Sequence, residues 1–254
     1  MVFAIDIGNS NIVAGVVCKD GVKFVERLST DRGKTGIEYA DLLLTVLRLH
    51  DVERGDIKGS IISSVVPELN QVLQLALYKL FGTEPMLVGP GVKTGLNIRI
   101  DDPAQLGADM VVGAVASIAE YPLPQIVFDL GTATTISAID AGGAFVGCAI
   151  TAGVRTAVSS IVSKTSLLTS ISFEAPAHAI GKNTVDSMKS GAILGSAAMM
   201  DGMIDRMQSE LGGPATVIAT GGLAPYILPH CTHKIIYDEQ LLLKGLYIIY
   251  NKNC

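Results

Sequence analysis

Apolar and polar residues alternate along the chain in two successive rounds of one pattern. In the first round, apolar runs at 2–6 and 12–18 flank the stretch Ile7-Gly8-Asn9-Ser10-Asn11, and Lys19-Asp20-Gly21 supplies a tight turn before a third run at 22–28. Short apolar runs punctuated by turn residues predict three antiparallel strands in succession. A helix is expected at 36–50 and a strand at 60–63. Pro67 fits the first turn of a helix reaching Phe81, and Pro103 is expected to open another that runs to Glu120.

The pattern then restarts. Residues 125–129 are apolar and end in Asp, a small-residue turn follows, strands are expected at 134–140 and 144–150, and Ala141-Gly142-Gly143 joins them. Asp6-Ile7-Gly8-Asn9-Ser10-Asn11 thus returns 123 positions later as Asp129-Leu130-Gly131-Thr132-Ala133-Thr134. A repeat at half the chain length predicts two similar α/β halves facing a cleft, here residues 1–121 and 122–254. The second half continues with a helix from 154, a long helix at 184–211, a strand at 216–219 leading into Thr220-Gly221-Gly222, a strand at 234–236 and a helix at 239–251. Within the long helix, Gly191, Gly195, Ala198 and Gly202 form a stripe that admits another backbone, inside the fold or between subunits.

Composition narrows the class. With 49% hydrophobic and 17% charged residues, the chain is a packed protein rather than a disordered one. A net charge of −5 argues against charge-driven binding to nucleic acid or anionic membranes. The mean hydropathy of +0.45 raises the question of a membrane helix, but the longest uncharged stretch, 211–233, is broken by four glycines and three prolines. Asp6 also arrives too early for a signal-peptide core. The expectation is a cytoplasmic protein with neither a nucleic-acid nor a membrane partner. Cys18, Cys148, Cys231 and Cys254 lie far apart and read as reduced thiols. His230-Cys231-Thr232-His233 reads as a loop, since structural zinc wants four ligands.

Candidate chemistry gathers at the repeated turns. A strand ending in Asp-x-Gly and followed by another strand differs from the dinucleotide and Walker fingerprints, which need a helix after the glycine loop. Here turn amides would form the phosphate nest, with little steric cover at Gly8 and with Asn9, Ser10 and Asn11 as added donors. Asp6 cannot neutralise a phosphate; its natural task is to hold Mg²⁺ beside one. Asp109, in Leu106-Gly107-Ala108-Asp109-Met110, lies early in an otherwise apolar helix. It is placed either to accept a substrate hydroxyl proton in phosphoryl transfer or simply to favour the helix dipole. Gly221-Gly222 offers backbone to a flat ligand such as adenine, and Pro90-Gly91-Val92-Lys93-Thr94-Gly95 is a second loop of unusual backbone freedom.

These residues resemble the type III pantothenate kinases, a family of the acetate and sugar kinase, heat-shock chaperone and actin superfamily. The resemblance runs through Asp6-Ile7-Gly8-Asn9-Ser10-Asn11, Ser63-Ser64-Val65-Val66-Pro67, Gly91-Val92-Lys93-Thr94-Gly95-Leu96 and Asp102-Pro103 with Leu106-Gly107-Ala108-Asp109. It continues in Asp129-Leu130-Gly131-Thr132-Ala133-Thr134-Thr135, Gly153-Val154-Arg155, Ile180-Gly181-Lys182-Asn183-Thr184 and Ala219-Thr220-Gly221-Gly222-Leu223. It implies two duplicated ribonuclease-H-like (actin-like ATPase) domains, a homodimer, and ATP-dependent phosphorylation of the primary hydroxyl of pantothenate. By position, it implies that Asp6, Ile7, Gly8, Asn9, Ser10, Asn11, Ile12, Val13 and Thr132 contact ATP, with Asp6 serving Mg²⁺ through the phosphates. Asp129 would hold a monovalent cation, K⁺ or NH₄⁺. Gly107, Ala108, Asp109 and Met110 would line the pantothenate site, with Asp109 as proton acceptor and Thr184 reaching it across the dimer interface.

The chain departs from the resemblance at three points. Met110 stands where the family usually has Arg, Ala152 where Pro is usual, and Gln240-Leu241-Leu242-Leu243 lacks the usual Thr. Only Met110 touches chemistry, because Met brings neither the charge nor the fork of donors that recognises a carboxylate. Lys93 and Arg155 are the candidate replacements. The alternative that Met110 motivates is a non-catalytic nucleotide- or pantothenate-binding accessory protein of the same fold; an ATPase or phosphatase on the same scaffold is a third reading.

Overall fold

The computed structural model describes residues 1–254. Strand β1 (Val2–Ile7) is buried along its whole length, as an unbroken apolar run demands. It pairs antiparallel with β2 (Asn11–Cys18), which pairs with β3 (Gly21–Ser29). Helix α1 (Gly36–Leu49) starts from a capping box in which Thr35 N donates to Glu38 Oε2 at 2.8 Å. The chain returns as β4 (Gly59–Ser64), parallel to β1, and continues into α2 (Pro67–Phe81), which has Pro67 in its first turn and ends on left-handed Gly82. With β5 (Met86–Leu87), the first sheet has the order β3-β2-β1-β4-β5.

After β6 (Asn97–Ile98) comes α3 (Ala108–Glu120), then the meander β7 (Gln125–Leu130), β8 (Ala133–Ile139) and β9 (Ala144–Ala152). Helices α4 (Val154–Lys164), α5 (Thr184–Lys189) and α6 (Gly195–Leu211) follow, the last two joined by a π turn over Ser190–Leu194. Strand β10 (Thr216–Thr220), helix α7 (Ala224–Ile227), strand β11 (Ile236–Tyr237) and helix α8 (Leu241–Asn253) complete the chain. The second sheet has the order β11-β10-β7-β8-β9-β6.

Two compact units result: Met1–Leu96 with Asp102–Ala119 and Gln240–Cys254, and Asn97–Asp101 with Glu120–Glu239. A single division at 121/122 does not describe them. Helix α8 belongs to the first unit because Leu243, Leu246 and Ile249 pack with Val2, Ala4, Ile61, Val112 and Val115 on one face of the first sheet. Burying each such side chain is worth about 1.5–3 kcal/mol, so the first unit is incomplete without α8. Residues 97–101 belong to the second because Asn97 and Ile98 pair with Ala144 and Phe145. The opposite face of the first sheet packs Phe3, Ile5, Ile7 and Ile62 against Leu43, Leu47, Leu69 and Leu73. In the second unit, Ile126, Phe128 and Ile136 pack against Ile193, Ala197, Met200 and Ile204.

Pro103 does not open α3. It starts a short 3₁₀ turn, Pro103–Gln105, whose first free amide, Ala104 N, donates to Asp102 Oδ1 at 3.1 Å; Leu106 is extended, and the helix begins only at Ala108. The two-residue strands and four-residue α7 fall below the length at which apolar periodicity can be read.

The repeated hairpins also differ in length. Asp6 faces Val13 and Ile7 faces Ile12, whereas Asp129 faces Thr135 and Leu130 faces Thr134. Four residues therefore close the first turn and three close the second. The equivalence of the two copies holds through Asp-x-Gly and slips by one residue beyond it.

Candidate active site

In the first unit Asp6 is the next-to-last residue of β1 and is only 8% exposed. Side chains alternate along a strand, so it shares a face with Val2 and Ala4, the face covered by α3 and α8. Beyond it, Gly8 N donates to Asn11 O at 3.0 Å, and a Cβ on Gly8 would sit 3.0 Å from that carbonyl. The segment just after β3 braces the turn. Thr30 Oγ1 donates to Gly8 O at 2.6 Å, Thr30 N to Ser10 O at 3.1 Å, and Arg32 Nη2 to Asn9 Oδ1 at 3.0 Å. Asn9, Ser10 and Asn11 remain exposed. Ile7 and Ile12 are wholly buried in the first core, so any part they take in binding runs through their backbone; Val13 is half-buried on the Asp6 face.

The first turn of α3 contributes to the same face. Gly107, Ala108, Asp109 and Met110 are half-buried, and Asp109 Oδ1 accepts from Met110 N at 2.8 Å, satisfying one free amide of the helix start. Burial pushes the Asp109 carboxyl above its ordinary value, against the smaller opposing pull of its backbone hydrogen bonds. Ala108 packs on this apolar face together with Val92 and Leu96 of the 91–96 loop. Helix α8 pins that loop: Asn253 Oδ1 accepts from Lys93 N at 3.0 Å, Asn253 Nδ2 donates to Lys93 O at 2.9 Å, and Lys252 Nζ donates to Thr94 O at 3.0 Å. Three separate motifs of the sequence thereby meet on one side of one sheet.

In the second unit Asp129 occupies the same place on β7, flanked by Thr135 on β8 and Thr220 on β10. Gly131 N donates to Ala133 O at 3.0 Å, and Thr132 is exposed. Here the turn is sealed by backbone. Gly153 N donates to Thr132 O at 3.0 Å and Thr156 Oγ1 to the same oxygen at 2.7 Å. A Cβ on Gly153 would overlap the carbonyls of Gly131 and Thr132, and one on Gly221, at φ +100°, would come within 2.6 Å of Leu130 O. Both glycines exist for close approach, the reason a residue without a side chain is needed.

Thr184 is the exposed first residue of α5, whose start is capped by Asn183 Oδ1 accepting from Asp186 N at 2.9 Å. Arg155 lies with its guanidinium 4.7 Å from the centre of the Phe173 ring, a cation–π contact. Gly191, Gly195 and Ala198 are exposed and Gly202 is half-buried, while Ile193, Ala197, Met200 and Ile204 fill the core, so the first three positions of the stripe are not used for packing inside this unit. Ile180, next to Ala179 whose carbonyl accepts from Ser190 Oγ at 2.6 Å, is 82% exposed, and Leu167 is 88% exposed. The His230–His233 stretch is tied to α6: Asp201 accepts from Thr232 N at 2.8 Å and His233 N at 3.1 Å, and His233 Nε2 lies 2.8 Å from Asp205 Oδ1. No group of three or more His, Cys, Asp and Glu side chains is gathered to hold a metal by itself. Mg²⁺ needs no such cage, because it is usually bound by one or two carboxylates plus substrate phosphates, and Asp6 at the turn fits that mode.

The sequence model of the type III pantothenate kinases matches residues 2–206. The type III pantothenate kinase of Moorella thermoacetica is 41% identical over 255 residues, covering 100% of both chains. The chain belongs to the type III pantothenate kinase family. Among solved structures, a Campylobacter jejuni protein of the Baf family matches with a TM-score of 0.60 at 19% identity, covering 99% of this chain and 98% of its own. The activator of the 2-hydroxyisocaproyl-CoA dehydratase from Clostridium difficile, solved with bound ADPNP, matches with a TM-score of 0.52 at 12% identity, covering 98% and 93%. At such identities these likenesses speak to fold alone, and the fold is that of duplicated ribonuclease-H-like domains. Within this type III pantothenate kinase family member, the bracing of the first turn by Thr30 and Arg32 was not anticipated from the residues. Counting the meander register would have found it, because Asn11 faces Ser29.

Proposed function

We infer that this chain transfers the γ-phosphoryl group of ATP to the primary hydroxyl of pantothenate, giving 4′-phosphopantothenate, the first step of coenzyme A biosynthesis. One observation carries the chemistry: a carboxylate made costly by burial, Asp109, opens α3 on the same sheet face as Asp6. A desolvated carboxylate whose pKa is raised from its ordinary value is a better proton acceptor near neutral pH than an exposed one.

In this reading the turn at 6–13 takes the phosphate tail of ATP through its amides and through Asn9, Ser10 and Asn11, and Thr132 contacts the nucleotide. Asp6 holds Mg²⁺ at the phosphates, and Asp129 holds the monovalent cation, K⁺ or NH₄⁺. When bound, these ions neutralise the charge that spreads over the transferring phosphoryl oxygens. Gly107, Ala108 and Met110 position pantothenate so that its hydroxyl oxygen attacks the γ-phosphorus, Asp109 takes the hydroxyl proton, and ADP leaves. The protein acts in the cytoplasm as a homodimer, with Thr184 completing the site of the second copy. The exposed small residues Gly191, Gly195 and Ala198 and the exposed side chain of Ile180 beside the start of that helical run support that assembly, since exposed apolar surface marks interfaces.

The test is an assay of the purified protein with ATP, Mg²⁺, K⁺ and pantothenate. Formation of phosphopantothenate is expected; its absence, while a known kinase scores in parallel, rejects the reading. Met110 favours one second reading, a non-catalytic accessory protein of the same fold, which would bind nucleotide or pantothenate without turnover in that assay.

A further inference from the structure

Ser63 in β4 is fully buried, and its Oγ has no hydrogen-bond partner. Buried hydroxyls are nearly always paired, and an unpaired one works against folding, so a serine kept there calls for a reason. Its register partner across the parallel pairing is Asp6. Register partners project to the same side of a sheet, and the cores agree: Ala4 and Ile61 share one, Ile5 and Ile62 the other. Ser63 and Asp6 therefore stand side by side on the face that α3 and α8 cover. Paired strands lie about 4.8 Å apart, which places a serine hydroxyl within one side-chain rotation of the neighbouring carboxylate. Ser60 is also buried with an unpartnered Oγ, but its register partner is Phe3, on the opposite face.

We propose that Ser63 is a positioning residue for Asp6, supplying the donor that fixes the carboxylate once it turns to hold nucleotide-bound Mg²⁺. The inference rests on the reading of the 6–13 turn as the nucleotide site. A hydrogen bond from Ser63 to one carboxylate oxygen orients the other toward the ion and makes the hydroxyl's burial unstrained only in the loaded state. Partners of this kind behind a metal ligand typically change metal affinity by about 10- to 100-fold when removed. No covalent bond is made or broken in the step; the Ser63 hydroxyl proton gains an acceptor.

The experiment is calorimetric titration of ATP at stepped Mg²⁺ concentrations, with an EDTA arm, on the full chain. Ser63→Ala is expected to raise the half-saturating Mg²⁺ about 10-fold or more, to leave ATP binding in EDTA unchanged, and to keep the nucleotide-free Tm at or above the wild-type value. Ser63→Cys, a near-isostere with a weak donor, should recover part of the loss, and Ser60→Ala should show the wild-type Mg²⁺ dependence. Wild-type Mg²⁺ dependence in Ser63→Ala overturns the proposal, and so does a lowered nucleotide-free Tm or failure to fold, which would give the hydroxyl a structural role instead. If the wild-type protein itself shows no Mg²⁺-dependent nucleotide binding, the functional reading falls first and this one with it.

Discussion

The two Asp-x-Gly turns start from the same frame and are finished by different means. In the first unit, side chains support the turn: Thr30 and Arg32 hold it from the segment just after β3, and polar side chains stand exposed along it. In the second, the turn is one residue shorter and backbone supports it, with Gly153 and Gly221 pressed against its carbonyls. A duplicated strand and its terminal carboxylate persist, while the loops around them answer to separate demands. The first unit also carries Asp109, a carboxyl whose charged form burial disfavours.

That contrast can be broken by substitution. Asp109→Asn should lower kcat by about 10²- to 10⁴-fold, the range typical of one proton-transferring side chain, without lowering Tm. The pH dependence has a definite sign. Because the folded-state pKa is raised, the proton is bound more tightly in the folded than in the unfolded chain. The stability linked to it is fully present below the unfolded value and is lost as pH rises through the folded one. Asp109→Asn should therefore gain in Tm relative to wild type at neutral pH, with the gap closing in acid. Wild-type activity should fall on acidification at a pH above the ordinary aspartate value. A variant that loses Tm at pH 7 would put Asp109 among the structural residues.

Met110→Arg is next in size. Restoring a charge-assisted contact is worth about 1.5–3 kcal/mol, so KM for pantothenate should drop roughly 10- to 100-fold, with kcat little changed. An unchanged KM would mean that another group meets the carboxylate. Arg155, engaged with Phe173, and Lys93, whose backbone is pinned by Asn253, are then the residues to substitute.

On the backbone side, Gly153→Ala must displace two carbonyls and should cost about 2 kcal/mol, a Tm loss of roughly 4–8 °C in a chain of this size. Gly8→Ala meets a single carbonyl at 3.0 Å and should cost about 1 kcal/mol. Thermal denaturation of both variants measures the difference. Equal losses would erase the distinction between a backbone-sealed turn and a side-chain-braced one.

Much of this architecture was legible from the residues because its signals are local. The meander at the chain start, Pro67 opening α2 and the restart at Gln125 all depend on turn chemistry and apolar runs a few residues long. Pro103 misled because a proline fits a 3₁₀ turn as well as a helix start, and extended Leu106 separates the two. The slip between the turns was hidden because both copies keep Asp-x-Gly, and only strand register reveals the missing residue. The membership of α8 in the first unit is a long-range fact: its apolar face would suit either sheet, and nothing within its own residues names the partner.

That last feature bears on synthesis. A ribosome makes α8 only after the whole of the second unit, so Val2, Ala4 and Ile61 wait for Leu243, Leu246 and Ile249 through some two hundred elongation cycles, roughly 10–40 s at ordinary speeds. By the end of that interval every strand of the carboxy-terminal unit has been made, while the amino-terminal sheet still shows part of an oily flank. The core that begins to form first is thus the last to be completed, and holdase chaperones have their longest opportunity on the segment that emerged first.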